Sequence, residues 1–291
     1  MSSDLEPVAE PAPVRLTAGA FSRIREMTYR YAGIELRHGK EQLVEARLAR
    51  LLREDSLHSF DKYCDQVAAD STGHSLARMI DALTTNHTSF LREPDHFDFL
   101  RTRILPETQG RPSVWSAACS SGEEPYTIAC CLLSELRQKR PSPNFRLLAT
   151  DISHRCLAAA RLGRYPAERL HSLPPSWISS FFEPGSGEWR GWLQVRPEVR
   201  AAVDFRRHNL MDQPPAGFRF DVIFCRNVMI YMDRRTQERT VRSLDGCLAP
   251  GGYLFIGHAE SLSSIRHDLT YVQPSIYRKA AASAAPQRER P

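Results

Sequence analysis

Residues 114–126 read Val-Trp-Ser-Ala-Ala-Cys-Ser-Ser-Gly-Glu-Glu-Pro-Tyr, an apolar strand running through a loop of small side chains into a helix start. Few folds accommodate that order. Small side chains let the backbone approach a bound molecule, Pro125 suits the first helical position, and Glu123 and Glu124 favour the positive end of the helix. Between a parallel strand and its crossover helix, such a turn cradles a nucleotide. The two carboxylates then select among nucleotides. A dinucleotide pyrophosphate is anionic and would be repelled by Glu123 and Glu124, whereas a cationic ligand is favoured. S-adenosyl-L-methionine carries a sulfonium and an ammonium beside an adenosine, and it is the cofactor that fits an acidic loop of this shape.

From Val114 onward strands and helices alternate, which argues for a parallel sheet covered by crossover helices. A helix over Tyr126–Gln138 leads to the strand Phe145–Thr150, and Asp151 follows at its end. An acid there, about thirty residues beyond the loop, is placed to accept hydrogen bonds from ribose hydroxyls, with an N-cap for the next helix (Ile152–Leu162) as the structural alternative. Past Pro174 the chain becomes irregular, with glycines at 185, 187 and 191 around short strand-like runs, which suggests a hairpin insert. The sheet resumes at Val203–Leu210, where Asn209 and Leu210 fall just past a strand end and can clamp an adenine. It continues at Phe220–Cys225, followed by Arg226, Asn227 and Tyr231. The run Cys247–Gly257 reads as helix, Pro-Gly-Gly turn and strand.

The N-terminal part has a different pattern. Thr17 can cap a helix with Phe21, Ile24 and Tyr31 on one face and a stop at Gly33. A second helix from Glu41 buries Val44, Leu48, Leu51 and Leu52 and projects Lys40, Arg47, Arg50 and Arg53 from another side, and two further helices cover Phe60–Val67 and Ser75–Leu83. Residues 1–14 and 280–291 have the composition of a disordered leader and tail.

Composition narrows the function classes. With 291 residues, 42% hydrophobic, 25% charged and a net charge of +5, the chain is expected to be a globular protein of two domains, and its mild basicity does not single out nucleic acid as a partner. Seven cysteines form no CxxC pair, so the expectation is reduced thiols, a cytoplasmic location and no disulfide framework. The ten histidines show no HExxH pattern, and no metal is assigned. No stretch of about 18 apolar residues suggests a membrane span.

Three phrases occur in order and with compatible spacing: Ala82-Leu-Thr-Thr-Asn86 with Phe90-Leu-Arg92, Trp115-Ser-Ala-Ala118 with Gly122-Glu-Glu-Pro-Tyr126, and Phe224-Cys-Arg-Asn-Val-Met-Ile-Tyr231. On them the chain resembles, over nearly its whole length, the chemotaxis receptor glutamate O-methyltransferases of the CheR family. The resemblance implies a Rossmann-like class I methyltransferase domain (α/β), an N-terminal all-helical domain and a small inserted antiparallel β subdomain. The expected boundaries are 15–85 for the helical receptor-docking domain, 86–113 for a linker helix contributing to the active site, 114–279 for the methyltransferase domain, and about 174–202 for the insert. It also implies cofactor contacts at Asn86, Thr88, Arg92, Glu124, Asp151, Asn209, Leu210, Arg226 and Asn227, and S-adenosyl-L-homocysteine as product. The implied partner is the cytoplasmic helical domain of chemoreceptors in membrane arrays, with a receptor C-terminal tether peptide as candidate partner of the insert. Neither nucleic acid nor membrane insertion is expected, and a monomer is.

A glutamate side chain is ionised at neutral pH, so esterification by methyl transfer needs no general base, and the absence of a catalytic triad is expected. Positioning should dominate. Arg92 can hold a carboxylate of the substrate or of the cofactor, and Tyr231 can steer the reacting groups, with ring packing in the core as its alternative. The stripe Lys40, Arg47, Arg50 and Arg53 suits docking to acidic receptor helices, although alone it would read as a solvated helix face. Rival readings are a nucleic-acid or other protein methyltransferase on the same fold, disfavoured for nucleic acid because the (Asp/Asn)-Pro-Pro motif is missing where Arg226-Asn227-Val228 stands. A nicotinamide oxidoreductase is disfavoured by the glutamates, and an adaptor without turnover by Arg92, Glu124, Asp151 and Tyr231.

Overall fold

The computed structural model describes residues 14–137, 144–214, 217 and 219–281; nearly all of the expected leader and tail lies outside them. The described residues fall into two compact units, one up to residue 30 with 36–84, the other 31–35 with the described residues from 85 onward. The smaller unit holds all but the last two residues of helix α1 (Ala18–Ala32), with α2 (Glu41–Glu54), α3 (Phe60–Ala69) and α4 (His74–Leu83). Side-chain caps begin two of them: the Thr17 hydroxyl accepts the Ala20 N–H at 3.0 Å, and Ser59 accepts the Asp61 N–H. The expected stripe Val44, Leu48, Leu51 and Leu52 is buried, together with Phe60, Tyr63, Val67, Met79 and Ile80 from α3 and α4. Each such side chain contributes about 1.5–3 kcal/mol on burial, which these short helices could not obtain singly.

In the larger unit an irregular stretch, with Leu91 and Glu93 at φ 49° and 58°, precedes α5 (Asp95–Phe99), a π-helical turn (Leu100–Ile104) and α6 (Leu105–Glu107). Then follow β1 (Ser113–Ser116), α7 (Glu123–Arg137), β2 (Arg146–Asp151) and α8 (His154–Leu162). β3 (Arg164–Pro166), α9 (Pro175–Phe181), β4 (Phe182–Pro184), β5 (Trp192–Val195) and α10 (Pro197–Ala201) come next. The unit ends with β6 (Asp204–Arg207), β7 (Phe220–Phe224), α11 (Arg234–Cys247), β8 (Leu248–Phe255), β9 (Thr270–Gln273) and β10 (Ile276–Arg278).

Seven strands form one sheet in the order β6-β2-β1-β7-β8-β10-β9, with β6 to β8 parallel and β10 antiparallel to both its neighbours. The purely parallel sheet expected from the sequence is thus closed by an antiparallel hairpin, in a segment to which sequence patterning assigned no strand. Both faces are covered, which explains the continuous apolar runs. Val114, Leu147 and Val222 enter the core under α7, while Trp115, Leu148 and Ile223 enter the one under α11, the two-residue alternation of a pleated strand. A separate three-stranded antiparallel sheet, order β3-β5-β4, is the small subdomain, and its first strand lies before the expected boundary at 174.

Local differences have physical reasons. Helix α7 starts at Glu123, which puts Pro125 inside the first turn, where a missing N–H costs nothing. Ser153, not Asp151, caps α8, accepting the Cys156 N–H at 3.0 Å. The Pro-Gly-Gly run lies inside β8: Leu248 pairs with Phe220 and Tyr253 with Val222, so 249–252 bulges out of the ladder.

Candidate functional site

The strand order reverses between β1 and β7, and the segments leaving the carboxyl ends of β1, β2 and β7 converge there, the position where open α/β sheets hold ligands. The turn from β1 into α7 requires Gly122: its φ is 98°, and an added Cβ would lie 2.8 Å from the Tyr165 hydroxyl and 2.9 Å from Ala160 Cβ.

The two glutamates of this turn have different fates. Glu123 is fully buried, accepts the Ser121 hydroxyl at 2.7 Å and has the Arg169 guanidinium 2.7 Å from its other oxygen. Burial pushes its carboxyl up, against the lowering pull of Ser121 and Arg169. It is therefore engaged by the protein, which corrects the expectation that both carboxylates meet a ligand. Glu124 accepts the Ser116 hydroxyl at 2.7 Å and Arg226 Nη1 at 3.0 Å.

Arg226, 5% exposed, uses all three guanidinium nitrogens on protein groups: Nη1 on Glu124, Nε and Nη2 on Glu93 Oε2 at 3.1 and 2.8 Å, and Nη2 again on the Arg92 carbonyl. Its side chain thus organises the residues expected around the cofactor. Glu93, absent from the sequence-based site, also accepts the His258 N–H at 3.0 Å. Burial raises its carboxyl, but Arg226 and that N–H outweigh burial and hold it below the ordinary value. Arg92 itself is half-buried and donates from Nη1 to the His87 carbonyl at 3.1 Å.

Asp151 lies at the end of β2 with 8% exposure, its two oxygens accepting the Ser120 N–H at 2.7 Å and the Ser153 N–H at 2.9 Å. A carboxylate is an acceptor of the kind that ribose hydroxyls require. The Ser120 hydroxyl donates to the Asn86 carbonyl at 2.9 Å, so Asn86 stands beside this carboxylate, and the Asn86 side-chain N–H₂ is buried with no protein partner. A buried donor without an acceptor is costly, and a ligand rich in acceptors, as an adenosine is, would satisfy it. The site fits S-adenosyl-L-methionine on that ground. Thr88 is buried, its carbonyl accepting from Arg169 at 3.0 Å.

Asn209 is held differently from expectation. Its side-chain amide donates to the Tyr31 carbonyl at 2.6 Å and accepts the Met211 N–H at 3.0 Å, leaving its backbone and half-buried Leu210 at the end of β6. Asn227 adopts φ 57° and donates its N–H to Glu260 at 2.9 Å. Tyr231 closes a 3-10 turn (Met229–Tyr231), is partly buried, and its carbonyl accepts the Glu35 N–H at 2.8 Å.

The docking stripe lies in the smaller unit. Lys40, Arg50 and Arg53 are exposed, Arg50 pairs with Glu54 at 2.6 Å, and Arg47 donates to the Leu83 carbonyl. Among the described residues one cluster has metal-ligand composition: Glu93, His96 and His258 offer atoms within 4.8 Å of one another. Both Glu93 oxygens are already taken by Arg226 and the His258 N–H, and a guanidinium beside them opposes a second cation, so the cluster reads as part of the Arg226 network. The signal that could have exposed Glu93 and Glu260 is weak: each is a charge in a loop, and Arg226, Asn227, Met229 and Ile230, which give them their roles, lie far along the chain.

No helix among the described residues is long and apolar enough to cross a membrane. Two family models match the chain: "CheR methyltransferase, all-alpha domain" over residues 19–84 and "CheR methyltransferase, SAM binding domain" over residues 86–277. Among known proteins it is 39% identical over 284 residues to "Chemotaxis protein methyltransferase 2" of Pseudomonas aeruginosa, covering 94% of this chain and 100% of that one. It is 36% identical over 275 residues to a "Chemotaxis protein methyltransferase" of Borreliella burgdorferi, with 91% and 96% covered. The corresponding Escherichia coli protein is 37% identical over 263 residues, with 90% and 91% covered.

Proposed function

The chain belongs to the CheR methyltransferase family and uses S-adenosyl-L-methionine, and from that premise we propose that it methyl-esterifies glutamate side chains of chemoreceptors in the cytoplasm. The observation that carries this reading is the site at the β1–β7 switch, where Asp151 and Glu124 stand at the loop ends and the Asn86 amide is buried without an acceptor. It offers the Asp151 carboxylate and the buried Asn86 amide to a nucleoside, with Glu124 held in place by Arg226 beside them.

When bound, S-adenosyl-L-methionine would supply an electrophilic methyl to a substrate carboxylate oxygen, the carbon–sulfur pair staying on sulfur, so that the products would be a methyl ester and S-adenosyl-L-homocysteine. One negative and one positive charge disappear together and no proton moves, so no general base is required, and a site that excludes water favours the step. The protein's task is alignment, which can contribute about 7–11 kcal/mol. In this reading Asp151 accepts the ribose hydroxyls, Asn86 and Thr88 close over the nucleoside, and the backbone of Asn209 and Leu210 flanks the base. Arg226 holds Glu124 and the Arg92 carbonyl in register, Asn227 completes the cofactor loop, and Arg92 and Tyr231 line up the incoming carboxylate. The all-helical unit, through Lys40, Arg47, Arg50 and Arg53, meets the receptor, and the small antiparallel sheet is the element available to a receptor tether peptide.

The test is transfer of labelled methyl from S-adenosyl-L-methionine to receptor-containing membranes, followed by mild alkali. Release of the label as methanol identifies carboxyl esters; label that resists alkali, on nitrogen or nucleic acid, would refute the reading. In parallel, Asp151→Asn should weaken S-adenosyl-L-homocysteine binding by about 1.5 kcal/mol, since a charge-assisted hydrogen bond to ribose becomes a neutral one. Calorimetry showing equal affinity would remove Asp151 from the site.

A further inference from the structure

The segment after β7 carries Arg226, Asn227 and Tyr231 on an irregular backbone: Asn227 is left-handed at φ 57°, and a 3-10 turn follows at Met229–Tyr231. Asparagine enters that conformation more readily than other non-glycine residues, and its neighbours can fix it there. Here the surroundings are one carboxylate. Glu260 Oε2 accepts the N–H groups of Asn227 and Gly257 at 2.9 and 2.6 Å, and Oε1 accepts those of Met229 and Ile230 at 2.8 and 3.3 Å. Burial pushes the Glu260 carboxyl up while these same N–H groups pull it down. Two residues earlier, the His258 N–H is given to Glu93, the partner of Arg226. Residues 257–260 therefore tie the loop bearing Arg226 to the loop bearing Arg92.

We infer that Glu260 is a positioning residue for methyl transfer: by collecting the N–H groups of Asn227, Met229 and Ile230 with that of Gly257, it sets the backbone from which Arg226, Asn227 and Tyr231 reach the site. The inference rests on the proposed placement of those three residues around cofactor and substrate. Glutamine cannot do the same work, because its single acceptor oxygen serves one pair of N–H groups while its own N–H₂ meets the other pair. Aspartate keeps both oxygens but stands one methylene short.

The experiment compares Glu260→Gln, Glu260→Asp, Asn227→Ala and, as a stability control, Val241→Ala, a fully buried position on α11 that makes none of these contacts. Melting temperature, S-adenosyl-L-homocysteine affinity by calorimetry, and kcat and KM for methyl transfer are read at a temperature where each variant is folded. Glu260→Gln should weaken affinity about tenfold and lower kcat at saturating cofactor, as expected when buried N–H groups lose their acceptor, with Glu260→Asp recovering part of both. Val241→Ala should lower the melting temperature and leave affinity and kcat unchanged. A Glu260→Gln protein that, like Val241→Ala, is only less stable overturns the inference; if Gln does not fold, unchanged affinity and kcat in Glu260→Asp overturn it equally. Unchanged affinity in Asn227→Ala would instead remove the placement of the cofactor on which the inference rests.

Discussion

Arg226 is buried among Glu93, Glu124 and the ring of Phe97, and its charge reaches His96, which is fully buried with neither ring nitrogen hydrogen-bonded. Burial first, and the Arg226 guanidinium next, lower the His96 pKa from 6.5 to about 4, against opposing pulls from Asp95 and Glu93. An imidazole that binds its proton less readily in the folded than in the unfolded state leaves stability intact above the unfolded value. It takes stability away as pH falls from about 6.5 toward 4. The loss over that window amounts to roughly 3 kcal/mol. His96→Leu, which cannot take up a proton, should show a shallower acid decline over the same window in urea titrations at stepped pH. Parallel declines in both proteins would mean that His96 does not titrate as its setting implies. The positions of Asp151, at the end of β2, and Glu124, in the first turn of α7, were legible in the sequence because each sits within a few residues of a recognisable strand or helix end. Glu93, Glu260 and His96 were not, since their roles depend on partners as distant as the 133 residues between Glu93 and Arg226.

The turn between β1 and α7 shows the same division at the level of elements. Its small residues, its glycine and the apolar runs on either side are local signals, and the strand, turn and helix stand where they point. What the local pattern does not carry is why the glycine is needed: Tyr165 of β3 and Ala160 of α8 press on it, and the Tyr165 hydroxyl donates to the Ser121 carbonyl at 2.7 Å. Gly122→Ala should therefore cost about 1–3 kcal/mol of stability from the backbone conformation, with the steric clash adding to it. It should also weaken S-adenosyl-L-homocysteine binding, because the displaced loop carries Ser120. An alanine variant with native stability and affinity would mean the turn relaxes freely. The β9–β10 hairpin escaped sequence reading for a related reason: Tyr271 and Val272 are exposed, so no one-sided apolar alternation marks β9, and the strand exists through its pairing with β10.

The residues proposed to hold the cofactor belong to the larger unit, while the stripe proposed to dock the receptor belongs to the helical one. The stripe was visible as a charged helix face, but its division of labour depends on partners that the helix pattern does not carry, such as the Leu83 carbonyl. Arg47 satisfies the Leu83 carbonyl in the last turn of α4, so reversing it would confound docking with stability. Arg50 pairs with exposed Glu54, four residues on, and such a surface pair contributes little, so its charge remains available to an acidic partner; Arg53 is exposed as well. Complementary charge acts mainly on encounter and register, over a range of about 8 Å at physiological salt. The double reversal Arg50→Glu with Arg53→Glu should accordingly slow methylation of receptor-containing membranes about tenfold at low salt, with the gap to wild type narrowing as salt is added. The affinity for S-adenosyl-L-homocysteine should stay unchanged, since neither arginine belongs to the unit proposed to hold the nucleoside. Equal methylation rates for the two proteins at every ionic strength would place receptor docking on another surface of the chain.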